Sequence, residues 1–151
     1  MMTPGWLLEL LTCKITRAKL GPEDLICIEF ADSLRAWSIE GKLMATWTHI
    51  PHEIGGKGRS AMIRLGVAKM LGLIPGSADY VFTGPNGGGW IEMKSATGQS
   101  SPTQKKFRLW CERVGVPYGL ARTATDAAQM LRDWGLLDDQ SGRIAKPDKE
   151  G

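Results

Sequence analysis

Ser77-Ala78-Asp79-Tyr80-Val81-Phe82-Thr83-Gly84-Pro85-Asn86-Gly87-Gly88-Gly89-Trp90-Ile91-Glu92-Met93-Lys94 is the stretch on which the fold turns. Asp79–Thr83 reads as a short apolar strand, Trp90–Lys94 as a second, and the Gly84–Gly89 link between them is a concentrated turn signal, so the pair is expected as a β-hairpin. Side chains alternate across a strand, which puts Glu92 and Lys94 on one face and Ile91 and Met93 on the other, toward the core. Hairpin pairing brings Asp79, at the entrance of the first strand, into the same neighbourhood. Two carboxylates converging on one spot repel each other and raise one pKa unless a cation joins them, and a hard divalent ion that prefers oxygen ligands is the natural occupant. An ammonium held beside that ion can orient or help deprotonate a water and stabilise charge growing on a phosphoryl oxygen. Glu-x-Lys on a strand is by itself commonly a surface ion pair worth under about 1 kcal/mol. It gains meaning here from Asp79, from the apolar residues between, and from what flanks it.

The flanks are basic. Between Glu53 and Asp79 the chain carries Lys57, Arg59, Arg64 and Lys69 with no acid, and between Glu92 and Glu112 it carries Lys94, Lys105, Lys106 and Arg108, again with no acid. Each cation set near a phosphate releases condensed counterions and gains affinity without reading sequence, although a charge run can equally be a solvated face. The last fourteen positions hold Asp138, Asp139, Asp148 and Glu150, so the formal charge of +3, from 19 basic and 16 acidic residues, understates the central part of the chain.

Outward from the hairpin, Gly21-Pro22-Glu23-Asp24 reads as a helix start, with proline pre-set for the first turn and two acids at the positive end of the dipole. Ile26, Phe30, Leu34 and Trp37 continue it at helical spacing to about residue 37. Met44–Ile50 alternates as a strand closed by Pro51. A loop at Gly55–Arg59 leads into a helix over Ser60–Leu71 with Met62, Leu65, Ala68 and Met70/Leu71 at helical period and Ser60 as its cap. Ser101-Pro102 opens a helix that runs through Phe107, Trp110 and Val114 to Gly115. Val116–Arg122 reads as another strand, and a last helix capped by Thr125 ends at Gly135. The order helix, strand, helix, hairpin, helix, strand, helix predicts an α/β domain around a mixed β-sheet flanked by helices. It spans residues 22–137, between an arm at 1–21, either a short amphipathic helix or extended, and a charged tail at 138–151.

A chain of 151 residues can bury a working core without staples. Cys13, Cys27 and Cys111, odd in number and far apart, fit neither a disulfide framework nor a zinc pattern and read as small buried hydrophobes in a reducing, cytoplasmic setting. No apolar run reaches the roughly 18–20 residues of a membrane span. Trp37, Trp110 and Trp134 are expected in the core, and Trp90 half exposed.

Four segments together resemble the VRR-NUC branch of the PD-(D/E)XK nucleases. They are Gly76-Ser77-Ala78-Asp79-Tyr80, Trp90-Ile91-Glu92-Met93-Lys94, Gly98-Gln99-Ser100-Ser101-Pro102-Thr103-Gln104 and, upstream, His49-Ile50-Pro51-His52-Glu53-Ile54-Gly55-Gly56. The resemblance covers about residues 22 to 135. It implies a restriction-endonuclease-like fold and hydrolysis of DNA phosphodiesters dependent on Mg²⁺ or Mn²⁺. It implies Asp79 and Glu92 as metal ligands, Lys94 as the catalytic lysine, Gln104 beside the site, and an acid of the first helix near the metal. Glu23 fits that last role, as a third metal ligand, through its phase with Ile26, Phe30 and Leu34, with Glu29 as competitor. Ala78 stands where the family has proline, His52 where it has Asn, and Ser100 where it has Leu, which touches the loop and not the metal set. His49 and His52 can also be strand-end histidines satisfied by backbone, and Gln104 a helix-start side chain bonded locally. DNA backbone contacts are expected from His49, Lys57, Arg59, Arg64 and Lys105, and the glycine clusters are expected to border the catalytic strands or let DNA approach. Small stand-alone members of this branch resemble homodimeric junction-resolving nucleases of phages and bacteria, which points to branched, Holliday-junction-like DNA and a DNA-repair setting. The rival is a DNA-binding module without catalysis on the same basic surface, and a third reading is a sequence-specific restriction enzyme.

Overall fold

The computed structural model describes residues 2–52 and 56–140. Its elements in order are α1 (Gly5–Leu11), α2 (Pro22–Ile39), β1 (Thr46–His49), α3 (Arg59–Met70), β2 (Tyr80–Gly84), β3 (Gly87–Met93), α4 (Pro102–Val114), β4 (Tyr118–Ala121) and α5 (Ala124–Asp133). The strands form one four-stranded mixed sheet in the order β1-β2-β3-β4, antiparallel as far as β3 and parallel between β3 and β4. α4 is the crossover that a parallel pair requires. The α/β class and the mixed sheet flanked by helices are thus as expected.

Alternation along β2 and β3 divides the interior in two. Tyr80, Phe82, Ile91 and Met93 face α2 and α5, where Phe30, Leu34, Ala127 and Leu131 complete the main core. Phe30 meets Tyr80 edge-on at 5.1 Å between ring centroids. The opposite face carries Ala78, Trp90 and Tyr118 against Phe107 and Cys111 of α4. Glu92 lies on this second side, where α4 covers it.

The hairpin is tighter than its glycine content implies. β2 runs to Gly84 and β3 resumes at Gly87, leaving Pro85-Asn86 as the whole turn. Gly87, Gly88 and Gly89 are strand residues. A Cβ at Gly88 would collide with the Phe82 carbonyl, and one at Gly89 would stand 2.7 Å from the Trp134 ring and 2.9 Å from the Pro117 carbonyl oxygen. These glycines let sheet and helix close on each other within the strand that carries Glu92.

Several local expectations are corrected. α3 begins at Arg59 with Gly58 as its cap, and Ser60 instead accepts from Arg64 Nη1 at 3.2 Å. The cap of α5 is Thr123, whose hydroxyl accepts from the Asp126 N–H at 3.0 Å, in place of Thr125. α3 has no buried residue, so the stripe through Met62 and Leu65 meets no core in this chain. Trp37 and Trp134 pack on the main core, but Trp110 stands 51% exposed. Cys13 is exposed, Cys27 half-buried and Cys111 buried.

The arm forms α1, also without buried residues. At the other end Arg132 holds Asp139 through Nε–Oδ1 at 2.8 Å and Nη2–Oδ2 at 2.7 Å, and the Asp138 N–H donates to Lys42, so the chain is secured beyond the expected start of the tail. Glu53, Ile54 and Gly55 of the upstream segment, and residues 141–151 with Asp148 and Glu150, lie outside the described residues. No helix among the described residues is long and apolar enough to cross a membrane.

Candidate active site

The site forms where the open end of the hairpin meets the first turns of α2 and α4. Register sets its centre: Tyr80 pairs with Ile91, so Asp79, one residue earlier, falls opposite Glu92 on the face covered by α4. Asp79 Oδ2 accepts from the Met93 N–H at 2.7 Å, which holds its carboxylate against β3. Glu92 is 0% exposed. Its Oε1 accepts from Gln104 Nε2 and pairs with Lys94 Nζ at 3.0 Å, while its Oε2 is buried with no hydrogen-bond partner.

Gln104 is fixed from two sides. Ser101 caps α4, with its hydroxyl accepting from the Gln104 N–H at 3.3 Å while Gln104 Oε1 accepts from the Ser101 N–H at 2.8 Å. That reciprocal cap leaves Nε2 for Glu92. The same side chain thus bonds the local backbone and reaches the Glu92 carboxylate. From α2, Glu23 brings Oε1 to 3.7 Å from Lys94 Nζ, whereas Glu29 is exposed nearly two turns further on with its carbonyl bonded by Ser33. Of the two acids weighed on the first helix, Glu23 is the one paired with Lys94. From the end of β1, His52 Nε2 lies 3.9 Å from Asp79 Oδ1 and 3.4 Å from the Ala78 carbonyl oxygen.

The electrostatics follow from this crowding. Burial, then the charge on Asp79, pushes the Glu92 carboxyl up to about 7 against the pull of Lys94. Burial pulls the Lys94 ammonium down, but its bond to Glu92 and the charges of Glu92, Glu23 and Asp79 outweigh that, and the net shift is upward. The Lys94 side chain is therefore held in its charged form at neutral pH. His49 edges the Tyr80 ring at 5.0 Å, and burial holds its imidazole below the usual range despite Asp79.

Arg122 was not anticipated. Its Nη1 donates to the carbonyls of Ser95 at 2.5 Å, Gly98 at 3.0 Å and Ala96 at 3.3 Å, clamping the loop that runs from Lys94 toward α4. Of the remaining expected DNA contacts, Lys57 and Arg59 are exposed before and at the start of α3, Arg64 is on α3, and Lys105 is exposed on the first turn of α4, next to Gln104. Among the described residues no set of three or more His, Cys, Asp or Glu side chains is arranged to hold a metal ion.

Across solved structures the chain superposes on a VRR_NUC domain protein with a TM-score of 0.56, covering 80% of this chain and 94% of that one at 16% sequence identity. The fold is that of a VRR_NUC domain. No family model and no curated protein matches the sequence. In the VRR_NUC fold as this chain builds it, Asp79, Glu92, Lys94, Gln104 and Glu23 come together from four segments far apart in sequence.

Proposed function

We propose that this protein is a divalent-metal-dependent DNA endonuclease of the VRR-NUC type, acting on branched DNA. The observation that carries the reading is the buried, unpartnered Oε2 of Glu92, a carboxyl that also feels the charge of Asp79. Such an atom costs stability unless something cationic joins it. Two carboxylates meet the demand of Mg²⁺ or Mn²⁺, since Mg²⁺ is held by one or two carboxylates and completes its shell with waters and substrate phosphate. A fully protein-built ligand set is not required. Asp79 and Glu92 would hold the ion, with Glu23 close behind Lys94.

Bound there, the ion supplies Lewis acidity toward a phosphoryl oxygen. The chain does the rest. Gln104 and Lys94 fix the Glu92 carboxylate, and the Lys94 ammonium orients the attacking water and offsets charge growing on the phosphate. Water adds to phosphorus as the bridging P–O bond breaks, and its proton ends on the departing alkoxide. Cations of α3 and α4 hold the flanking backbone without reading sequence.

The test incubates labelled four-way junction, flap and linear duplex with Mg²⁺, Mn²⁺ or EDTA. Cleavage with either metal, none in EDTA, and preference for branched DNA are expected. Binding without cleavage in both metals would establish the inert-module reading instead, and discrete cuts on linear duplex regardless of shape would establish a sequence-specific enzyme.

The acting form is proposed to be a homodimer, whose paired sites suit a four-way junction. α3 is the surface a second copy would cover: Met62, Ile63, Val67, Met70 and Leu71 are exposed on one short helix, a patch that monomers seldom leave open. Met70→Glu is expected to shift sedimentation from dimer to monomer while thermal stability of the fold stays within a few degrees. An unchanged dimer would place the interface elsewhere.

A further inference from the structure

Beside the site, the Leu73–Gly76 turn and one flank of α4 enclose an open groove of about 340 Å³ lined by Ile74, Pro75, Thr103, Lys106, Phe107 and Trp110. Its main wall is the half-exposed Trp110 indole. Phe107 meets that indole edge-on at 6.0 Å and is itself braced by Trp90 at 5.1 Å and Tyr118 at 6.3 Å, so the wall is held rigid by an aromatic cluster. The opposite wall is the proline ring and the exposed Ile74.

The polar character is one-sided. No acid lines the groove. Lys105, Lys106 and Arg113 have no ion pair among the described residues, and the one acid of α4, Glu112, is engaged by Arg108 at 2.9 Å. A matching ligand presents a flat apolar face and carries negative charge. The groove also shares both walls with the active site: the turn leads through Ser77 and Ala78 into Asp79, and Thr103 precedes Gln104. Gly76 presses the two walls together, since a Cβ there would stand 2.6 Å from the Gln104 backbone nitrogen and the Thr103 carbonyl oxygen.

We propose that this groove holds an unpaired nucleotide of the substrate strand next to the scissile phosphate, its base stacked on Trp110 and its phosphate paired with Lys106. The proposal rests on the nuclease reading and extends it to a subsite for single-stranded DNA. A base in intact duplex is already stacked on both sides and cannot enter, whereas one freed at a gap or branch can, and stacking on an aromatic side chain tolerates any base.

Binding is measured in EDTA to a fully paired duplex and to the same duplex with a short single-stranded gap. Trp110→Ala is expected to weaken gapped DNA about five- to a hundredfold and paired duplex less than about twofold. Trp110→Phe, which keeps a stacking ring, is expected to stay within a few-fold of wild type. Lys106→Ala is expected to lower the slope of log affinity against log salt by roughly 0.7 on gapped DNA. Ile74→Glu, on the facing wall, carries the same comparison should Trp110→Ala melt early, and the same selective loss is expected. Equal losses on both DNAs, or no loss on either, would overturn the subsite. Wild-type protein that binds neither DNA would instead sink the nuclease reading, whereas wild type that binds and cuts while Trp110→Ala matches it throughout would sink the groove alone.

Discussion

Glu92→Gln is expected to lower metal-dependent cleavage by roughly 10²–10⁴-fold while making the metal-free protein more stable at pH 8. The two effects have one cause. Glu92 is fully buried beside Asp79, and its Oε2 has no partner. Burial and the neighbouring carboxylate raise its pKa in the folded chain from 4.5 to about 7. The folded state therefore keeps a proton that the unfolded state gives up from about pH 4.5 upward. Stability falls as pH rises across that window and the penalty is constant above about pH 7. At about 1.4 kcal/mol per unit, the penalty is on the order of 3–4 kcal/mol. Gln carries no charge to desolvate and its carbonyl still accepts from Gln104, so in EDTA the variant should melt several degrees above wild type at pH 8 and close to it at pH 5. Adding Mg²⁺ should raise the wild-type melting temperature at pH 8 and leave the variant nearly unmoved. Wild-type cleavage by Glu92→Gln, or a variant less stable than wild type at pH 8, would remove Glu92 from the role given to it.

That residue was legible in the sequence because a strand has a period of two and a hairpin has a register. Once Tyr80–Gly84 and Gly87–Met93 are paired, the positions of Asp79 and Glu92 follow, and Ile91 and Met93 must enter the other face. The cap of α4 was equally readable, because Ser101, Pro102 and Gln104 occupy the positions that a capping box and a first-turn proline require, and Gly115 ends the helix with φ of +75°. Gln104 came with the cap.

What stayed hidden depends on contacts between elements that no local pattern specifies. Arg122 reaches the Ser95–Gly98 loop because β4 pairs parallel with β3, Met93 beside Ala121, which sets the next residue along β4 beside the loop that leaves Lys94. A strand signal over Val116–Arg122 carries no partner and no direction. α3 misled for the opposite reason: Met62, Leu65, Ala68 and Met70/Leu71 at helical period mark a helix, but none of its residues is buried and no core lies beneath. Trp110 shares a helix with the buried Phe107 and Cys111 but is turned to the flank, where solvent and the groove meet. Periodicity finds a face, and only the tertiary arrangement says what covers it.

Gly76 ties the fold to the site, and Gly76→Ala is expected to cost about 2–4 kcal/mol of stability. Two effects add. Its φ of +82° is a conformation that costs a non-glycine residue about 1 kcal/mol. The new methyl would also stand 2.6 Å from two backbone atoms of Thr103 and Gln104, and backbone in a capped helix cannot swing aside as a flexible side chain would. Relief requires the first turn of α4 to shift outward, which draws Gln104 from Glu92 and widens the groove at Thr103. The melting temperature should fall by about 10 °C, and cleavage well below the melting range should fall at least tenfold. Gly72→Ala separates the two effects, because Gly72 also has positive φ, at +109°, but nothing lies within 4 Å of a Cβ there. It should lose only about 1 kcal/mol and cleave as wild type does. Equal damage from both substitutions would show that backbone strain alone is responsible and that contact between the turn and α4 does not position Gln104.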